Sequence, residues 1–198
     1  SGATAQYRQG RADGFQRGAG ALRTGYSGAR VLVSAELARA RCKTQIDIGF
    51  GDAITPGPVD ATYPVLIADF PAPRLRTYPV YTVVAEKLHA IVLLGMTNSR
   101  LKDYLDLWIL LNREALDSGM LASAIAATFN RRGAPLPTEL PIGLSDEFAN
   151  DQSRQALWAA FLKKNTLAPM PLNKVVSALR TRLQSALANA ASNIAGLD

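Results

Sequence analysis

The residues whose types and spacing suit chemistry concentrate in one stretch, residues 83–108, which reads VVAEKLHAIVLLGMTNSRLKDYLDLW. At about 100° per residue, Val83, Val84, Leu88, Ile91 and Leu94 share one helical arc, with Lys87 at its centre and Glu86 and His89 on the other side. An ammonium in an apolar stripe must either reach the rim or meet an anion, because an unpaired buried charge is too costly. The plainer role is a snorkelled or ion-paired structural lysine. The sharper one is a phosphate-binding lysine facing a cleft. Asp103 and Asp106 stand three apart on one face of a following helix, beside Leu107 and Leu110. With Arg100 and Lys102 they form a dense charged edge, read here as the lip of a site. Asp103 also lies where a helix N-terminus favours an anion, so a structural role is open to it.

A third carboxylate is upstream. Residues 44–50 (TQIDIGF) alternate as a strand, with Ile46, Ile48 and Phe50 on one face and Gln45, Asp47 and Gly49 on the other. Asp47 suits a metal-ligating strand aspartate, and it equally suits a solvent-facing strand.

The elements that must position these residues follow from periodicity and punctuation. Thr82 opens a helix that Gly95 stops, and Asn98 or Ser99 caps the next one, which runs apolar to Leu111. Upstream, residues 31–35 read as a strand. The segment to Pro79 is broken by Pro56, Pro58, Pro64, Pro71, Pro73 and Pro79, with short strands expected around residues 65–67 and 75–78. Residues 1–27, rich in Gly, Arg and Gln, read as a loop-rich lead-in. Downstream, helices are expected over residues 121–131, 151–163 and 173–190, separated by a proline-rich link over 134–144. Trp158 and Phe161 fall on the apolar side of the middle one, and Val176, Leu179, Leu183 and Leu187 recur at helical spacing in the last. Arg131 and Arg132 close the first of these helices, where cations suit the dipole.

Composition bounds the function. The 198 residues are 48% hydrophobic and 19% charged, ordinary for a globular chain. Cys42 is the one cysteine and His89 the one histidine, which excludes an internal disulfide, a cysteine-based metal cluster and a multi-histidine zinc site. A net charge of +6 favours an anionic partner such as a nucleotide or RNA. No uninterrupted apolar run reaches the ~18 residues of a membrane span and no signal peptide is visible, so a cytoplasmic location without a membrane partner is expected. No Walker loop or dinucleotide-binding glycine fingerprint occurs.

The order QIDIGFGD, VAEKLHA, NSRLKDYLDLW and ATFNRRG resembles the AbiEii/AbiGii-type toxin nucleotidyltransferases, over residues 26–187. The resemblance implies an α+β fold: a partial, nucleotidyltransferase-like mixed sheet over residues 1–80, then a helical region over 81–198 bearing the lysine and aspartate motifs. It implies transfer of a nucleotide from a nucleoside triphosphate to an acceptor such as tRNA, with Mg²⁺, and a cognate antitoxin in a phage-defence pair. Carried over by position, Asp47 matches the family's later strand aspartate at the metal, Lys87 the triphosphate lysine, and Asp103 the aspartate of the last motif. Arg100, Lys102 and Asp106 surround it as substrate-binding candidates. The chain departs from the pattern at its start. Before Asp47 its only acidic residues are Asp13 and Glu36, where the family carries a Gly-Gly or Gly-Ser turn and an Asp-x-Asp strand. Two-metal phosphoryl transfer needs several carboxylates. The expectation is therefore a C-terminal portion of a longer protein or a degenerate homologue, inactive as it stands. The competing reading is a non-catalytic module that binds nucleotide or antitoxin. A hydrolase built on Asp47 and His89 has little support, since His89 faces away from Lys87 and no nucleophile motif accompanies it.

Overall fold

The structure, a computed structural model, describes residues 28–37 and 40–195. The lead-in expected over residues 1–27 lies outside the described residues. The chain divides into two compact units, Ser1–Asp52 and Ala53–Asp198. The fold is α+β, with strands first and helices after.

In the first unit, β1 (Gly28–Leu37) pairs antiparallel with β2 (Ala40–Gly49). The register sets Val31 opposite Ile46 and Leu32 opposite Gln45, so Ile46 and Ile48 share one side of the ribbon while Leu32 shares the other with Gln45 and Asp47. Arg30 is the register partner of Asp47.

The second unit begins with another antiparallel pair, β3 (Val59–Thr62) with β4 (Arg74–Thr77). Among the described residues both ladders are antiparallel and two-stranded, where the resemblance implied a mixed sheet. β4 falls where a strand was expected. The strand expected over residues 65–67 is instead part of a bent and turned connection. Its apolar residues lack a partner strand: Leu66 is fully exposed, and Pro64 and Pro71 flank a turn closed by Phe70 N donating to the Ile67 carbonyl at 3.1 Å.

Among the described residues six α-helices follow: α1 (Val80–Leu94), α2 (Leu101–Arg113), α3 (Ser118–Arg131), α4 (Asp146–Asn150), α5 (Gln152–Lys164) and α6 (Leu172–Ala195). α1 starts after Pro79, so Thr82 sits inside its first turn rather than ahead of it. The Thr82 hydroxyl accepts from Thr55 N at 3.0 Å and donates to the Thr55 carbonyl at 3.1 Å, tying the proline-rich segment to the helix. Side chains cap three helices by accepting backbone N–H groups: Asp117 from Met120, Ser145 from Phe148 and Asp151 from Arg154. The short α4 was not expected; its five residues are too few to show a period.

Among the described residues the core lies in the helices. Val84, Leu88 and Ile91 of α1, Tyr104 and Leu107 of α2, Ile125 and Phe129 of α3, Phe148 of α4, and Val175, Leu179 and Leu183 of α6 are all buried. α3 packs against both α1 and α6. α1 is apolar on more than one side: with its 3-10 extension, Val80–Thr97 has a mean hydropathy of 1.4 and is long and apolar enough to cross a membrane. That corrects the sequence reading, which counted only uninterrupted apolar runs. Here the segment is the central core helix, and it carries Glu86, Lys87 and His89.

Gly143 lets a 3-10 turn, Ile142–Leu144, press onto α1. A Cβ there would lie 2.7 Å from Ile91 Cγ2 and 2.9 Å from the Ile91 carbonyl oxygen. Gly143→Ala is therefore expected to cost about 1–3 kcal/mol through overpacking, read as a lower urea midpoint at unchanged slope. A loss under about 0.5 kcal/mol would show that this contact yields freely.

Candidate functional site

The motif residues of the second unit converge where α1 meets α2. Lys87 Nζ donates to Asp103 Oδ1 at 2.8 Å and to Asp106 Oδ2 at 2.7 Å. Lys102 Nζ, one turn before Asp106, reaches the same Oδ2 at 2.6 Å. Arg100 Nε lies 3.0 Å from Asp103 Oδ2, an ion pair by distance that lacks hydrogen-bond alignment, so that buried oxygen has no aligned donor. Asp103 is 4% exposed, and the Lys87 and Asp106 side chains 19% and 22%. The cluster is therefore buried at Asp103 and opens toward Lys87 and Asp106. Arg100 and Lys102 stand in solvent as its outer rim.

Electrostatics follow the geometry. Partial burial works against the Lys87 ammonium, but the hydrogen bonds and charges of Asp103 and Asp106 outweigh it and hold the pKa above the ordinary 10.5. Burial likewise works against the Asp106 carboxylate, yet the bonds from Lys102 and Lys87 leave its pKa below the ordinary 3.8. An ammonium has three donors. Two are spent on the carboxylates, and among the described residues no other acceptor bonds Lys87. It is thus a protonated cation, aimed by two anions, with one N–H left over.

The turn between the helices is held from behind. Asn98, fully buried, accepts from Arg100 N at 2.8 Å through Oδ1, a turn just ahead of α2; neither it nor Ser99 caps the helix as expected, because the N-cap position is Arg100 and no side chain bonds the first-turn N–H groups. Arg154, at the start of α5, donates to the Asn98 carbonyl at 2.7 Å and to the Met96 carbonyl. Its guanidinium also lies over the Phe148 ring. Sequence reasoning missed Arg154. A lone arginine behind an aspartate cap looks like any solvated helix residue, and only its reach across 56 residues of sequence gives it this task.

The other flank of α1 is a separate arrangement. Arg132 Nη2 pairs with Glu86 Oε2 at 2.5 Å, so Arg132 does more than complement the end of α3. His89 is buried with its ring edge-on to Phe129, 5.0 Å between centroids. Burial, with Arg132 nearby, holds its pKa below the usual histidine value. The face away from Lys87 is thus packing, as the histidine's isolation from any nucleophile suggested.

Lysine, paired aspartates and the ATFNRRG helix end are brought together in one helical body, and the whole chain answers to one family. Residues 3–189 match the family described as nucleotidyl transferase AbiEii toxin, type IV TA system. The chain belongs to the AbiEii nucleotidyl transferase toxin family. No curated protein matches it.

Asp47 of this AbiEii chain sits on β2, in the first unit, exposed, with its Oδ2 accepting from Gln45 Nε2 at 2.9 Å. As a home for Mg²⁺, the Lys87 cluster is the wrong charge: two carboxylates already face three cations, Lys87, Lys102 and Arg100. Asp47 offers one carboxylate, where a divalent ion takes several oxygens. No group of three or more potential ligands occurs among the described residues. These residues do not by themselves make up a Mg²⁺ site.

The pKa directions give a test of the AbiEii cluster. Asp106 is lowered in the folded state, so its contribution is complete above 3.8 and is lost as pH falls through its lower folded value. Lys87 is raised, so its contribution is complete below 10.5 and is lost as pH rises through its higher folded value. Asp106→Asn should flatten the acid limb of the stability profile and Lys87→Met the alkaline limb, both read from urea midpoints across pH. Limbs unchanged in both variants would show that the pairing contributes nothing to stability.

Proposed function

We propose that this AbiEii chain carries the triphosphate-binding half of a nucleotidyltransferase toxin, and that Lys87 is its central residue. The observation that supports this is the double clamp on the Lys87 ammonium. A lysine whose only task was to neutralise a buried aspartate would need one carboxylate; here Asp103 and Asp106 orient it and keep it charged, with a donor to spare. Lys87 then acts as a point cation on triphosphate oxygens. Asp103 and Asp106 are positioning residues that act through it. Arg100 and Lys102, both largely exposed, extend positive charge from the cluster toward an incoming polyanion.

In the reaction, an acceptor hydroxyl attacks the α-phosphorus of a nucleoside triphosphate. The new bond joins the acceptor oxygen to phosphorus, the hydroxyl proton passes to solvent, the bond from that phosphorus to the β-bridging oxygen breaks, and pyrophosphate leaves with the electron pair. Lys87 offsets the charge that accumulates on the triphosphate as it leaves. Asp47 would contribute a carboxylate from the first unit, as a metal ligand or to orient the acceptor. Mg²⁺, which the family reading implies, would supply further neutralisation, with ligands beyond the described residues. The acceptor class is RNA, with tRNA the first candidate, in agreement with the net charge of +6. A cytoplasmic location and a cognate antitoxin complete the reading. The competing function is nucleotide binding without transfer, in keeping with the lack of any cluster of three or more potential metal ligands among the described residues.

The test is titration with labelled nucleoside triphosphates and Mg²⁺, followed by incubation with total tRNA. Binding is expected, and Lys87→Met should weaken it by at least about tenfold, or about 1.4 kcal/mol, while far-UV circular dichroism stays native. Label on tRNA would establish transfer, and binding alone would establish the non-catalytic alternative. Equal affinity in Lys87→Met would remove Lys87 from the site.

A further inference from the structure

Between α5 and the start of α6 the surface opens into a cavity of about 1010 Å³ that shares no residue with the Lys87 cluster. Its floor is apolar and firm. Trp158, Leu162 and Leu172 are 2%, 5% and 2% exposed, and the Trp158 indole N–H donates to the Met170 carbonyl at 2.6 Å. Pro169 and Pro171 stiffen the wall between the helices.

The lip of the cavity is conformationally unusual. α5 ends with Thr166 N bonded to the Lys163 carbonyl at 3.2 Å and Leu167 N bonded to the Leu162 carbonyl at 3.0 Å, the paired closure that normally places glycine at the left-handed position. That position holds Thr166, at φ 54°, the one non-glycine residue with positive φ among those described. A β-branched residue there is an outlier, and such strain clusters at functional sites. Its side chain lines the cavity with Gln155, Lys163 and Asn173.

Among the residues that line the cavity, Lys163 is the one that carries a charge. From Gln152 to Leu197 there is no Asp or Glu, against six cations: Arg154, Lys163, Lys164, Lys174, Arg180 and Arg182. Arg154 is engaged by backbone carbonyls and Arg180 by Asp146. Lys163 lines the cavity, and Lys164 and Lys174 adjoin lining residues and are exposed. The space is at the upper end of the roughly 300–1,000 Å³ that small ligands occupy. It also runs onto Leu167, which is 39% exposed.

We propose that this cavity is the docking site for an acidic amphipathic segment of a partner protein, which seats an apolar side chain on Trp158 and Leu162 and sets its carboxylates against Lys163, Lys164 and Lys174. A polynucleotide would use the lysines but leave the apolar floor bare. A small amphiphile would fill the floor but leave the outer lysines unmatched. The proposal does not depend on nucleotide transfer at Lys87.

The test is selection of a displayed random peptide library, about 16 residues long, against the full chain, with Ala159→Phe as the counter-target. Ala159 lines the cavity from an exposed position, so phenylalanine there occupies the space without removing core. Peptides enriched on the parent chain are expected to be net acidic with apolar residues at i, i+3 or i+4, and i+7. Their affinity should fall at least about tenfold in Ala159→Phe and again in the surface variant Lys163→Glu/Lys164→Glu, read from the fluorescence anisotropy of dye-labelled peptides. Both variants should keep native circular dichroism, and the second guards against misfolding of the first. Three results would overturn the proposal: no enrichment over Ala159→Phe, enriched peptides that are neutral or basic, or cavity-dependent binding of a single-stranded RNA oligomer or decanoate in place of acidic peptides.

Discussion

The helical body depends on how one ammonium is held between two carboxylates at the α1–α2 contact. Charges carried that far from water cost several kcal/mol each unless they are paired with good geometry, and losing one partner of such a pair costs about 3–5 kcal/mol. Asp103, at 4% exposure, is the most sensitive member. Its pairing with Lys87 works only while the two helices keep one separation and rotation. Much of the surrounding structure secures that crossing. Asn98 shapes the connecting turn, Arg154 fills the carbonyls that the turn leaves open, and Tyr104 hydrogen-bonds the Gly143 carbonyl at 2.9 Å while stacking on Phe148. The polar cluster is thus rigid because the C-terminal helices make it so. A lysine on a mobile helix pair would lose aim with each fluctuation.

Lys87 was legible because a cation in the middle of an apolar arc breaks a pattern, and a broken pattern needs a reason. Asp103 and Asp106 were legible as one face of a helix for the same reason. Their mutual pairing was not, because periodicity assigns a residue to a face without saying which helix that face meets. The face that carries Glu86 and His89 shows the limit in the opposite sense. The sequence places its polar residues only on the side away from Lys87, and α3 and its end cover them: Glu86 finds Arg132, and His89 packs on Phe129. Polar residues mark a helix face as exposed only when nothing complementary packs against it.

The strand regions were harder to read for a related reason. The alternation in residues 44–50 identified β2 and its two faces, because period two is a local property. The apolar run of residues 65–67 has the composition of a strand, but a strand exists only with a partner to accept its hydrogen bonds, and composition does not supply one. Proline at both ends left that segment as a turn, while β3 formed at Val59–Thr62, across from β4. Tertiary pairing decided between two stretches of similar propensity.

The two classes of element also divide the labour. Among the described residues the buried apolar ones come from α1 onward, whereas Ile46, Ile48, Phe50, Val59 and Leu75 are each 40% exposed or more. Two-stranded ribbons are marginal alone, so the described strands draw little stability from burial. The core of the helical body runs from Val84 to Ala190. The lysine and its two aspartates sit in that body, and Asp47 sits on a ribbon whose described side chains are largely exposed. A binding function held by Lys87 therefore rests on firmer structure than a catalytic one that also requires Asp47. That asymmetry is a physical reason for phosphate recognition to outlast chemistry in such a chain.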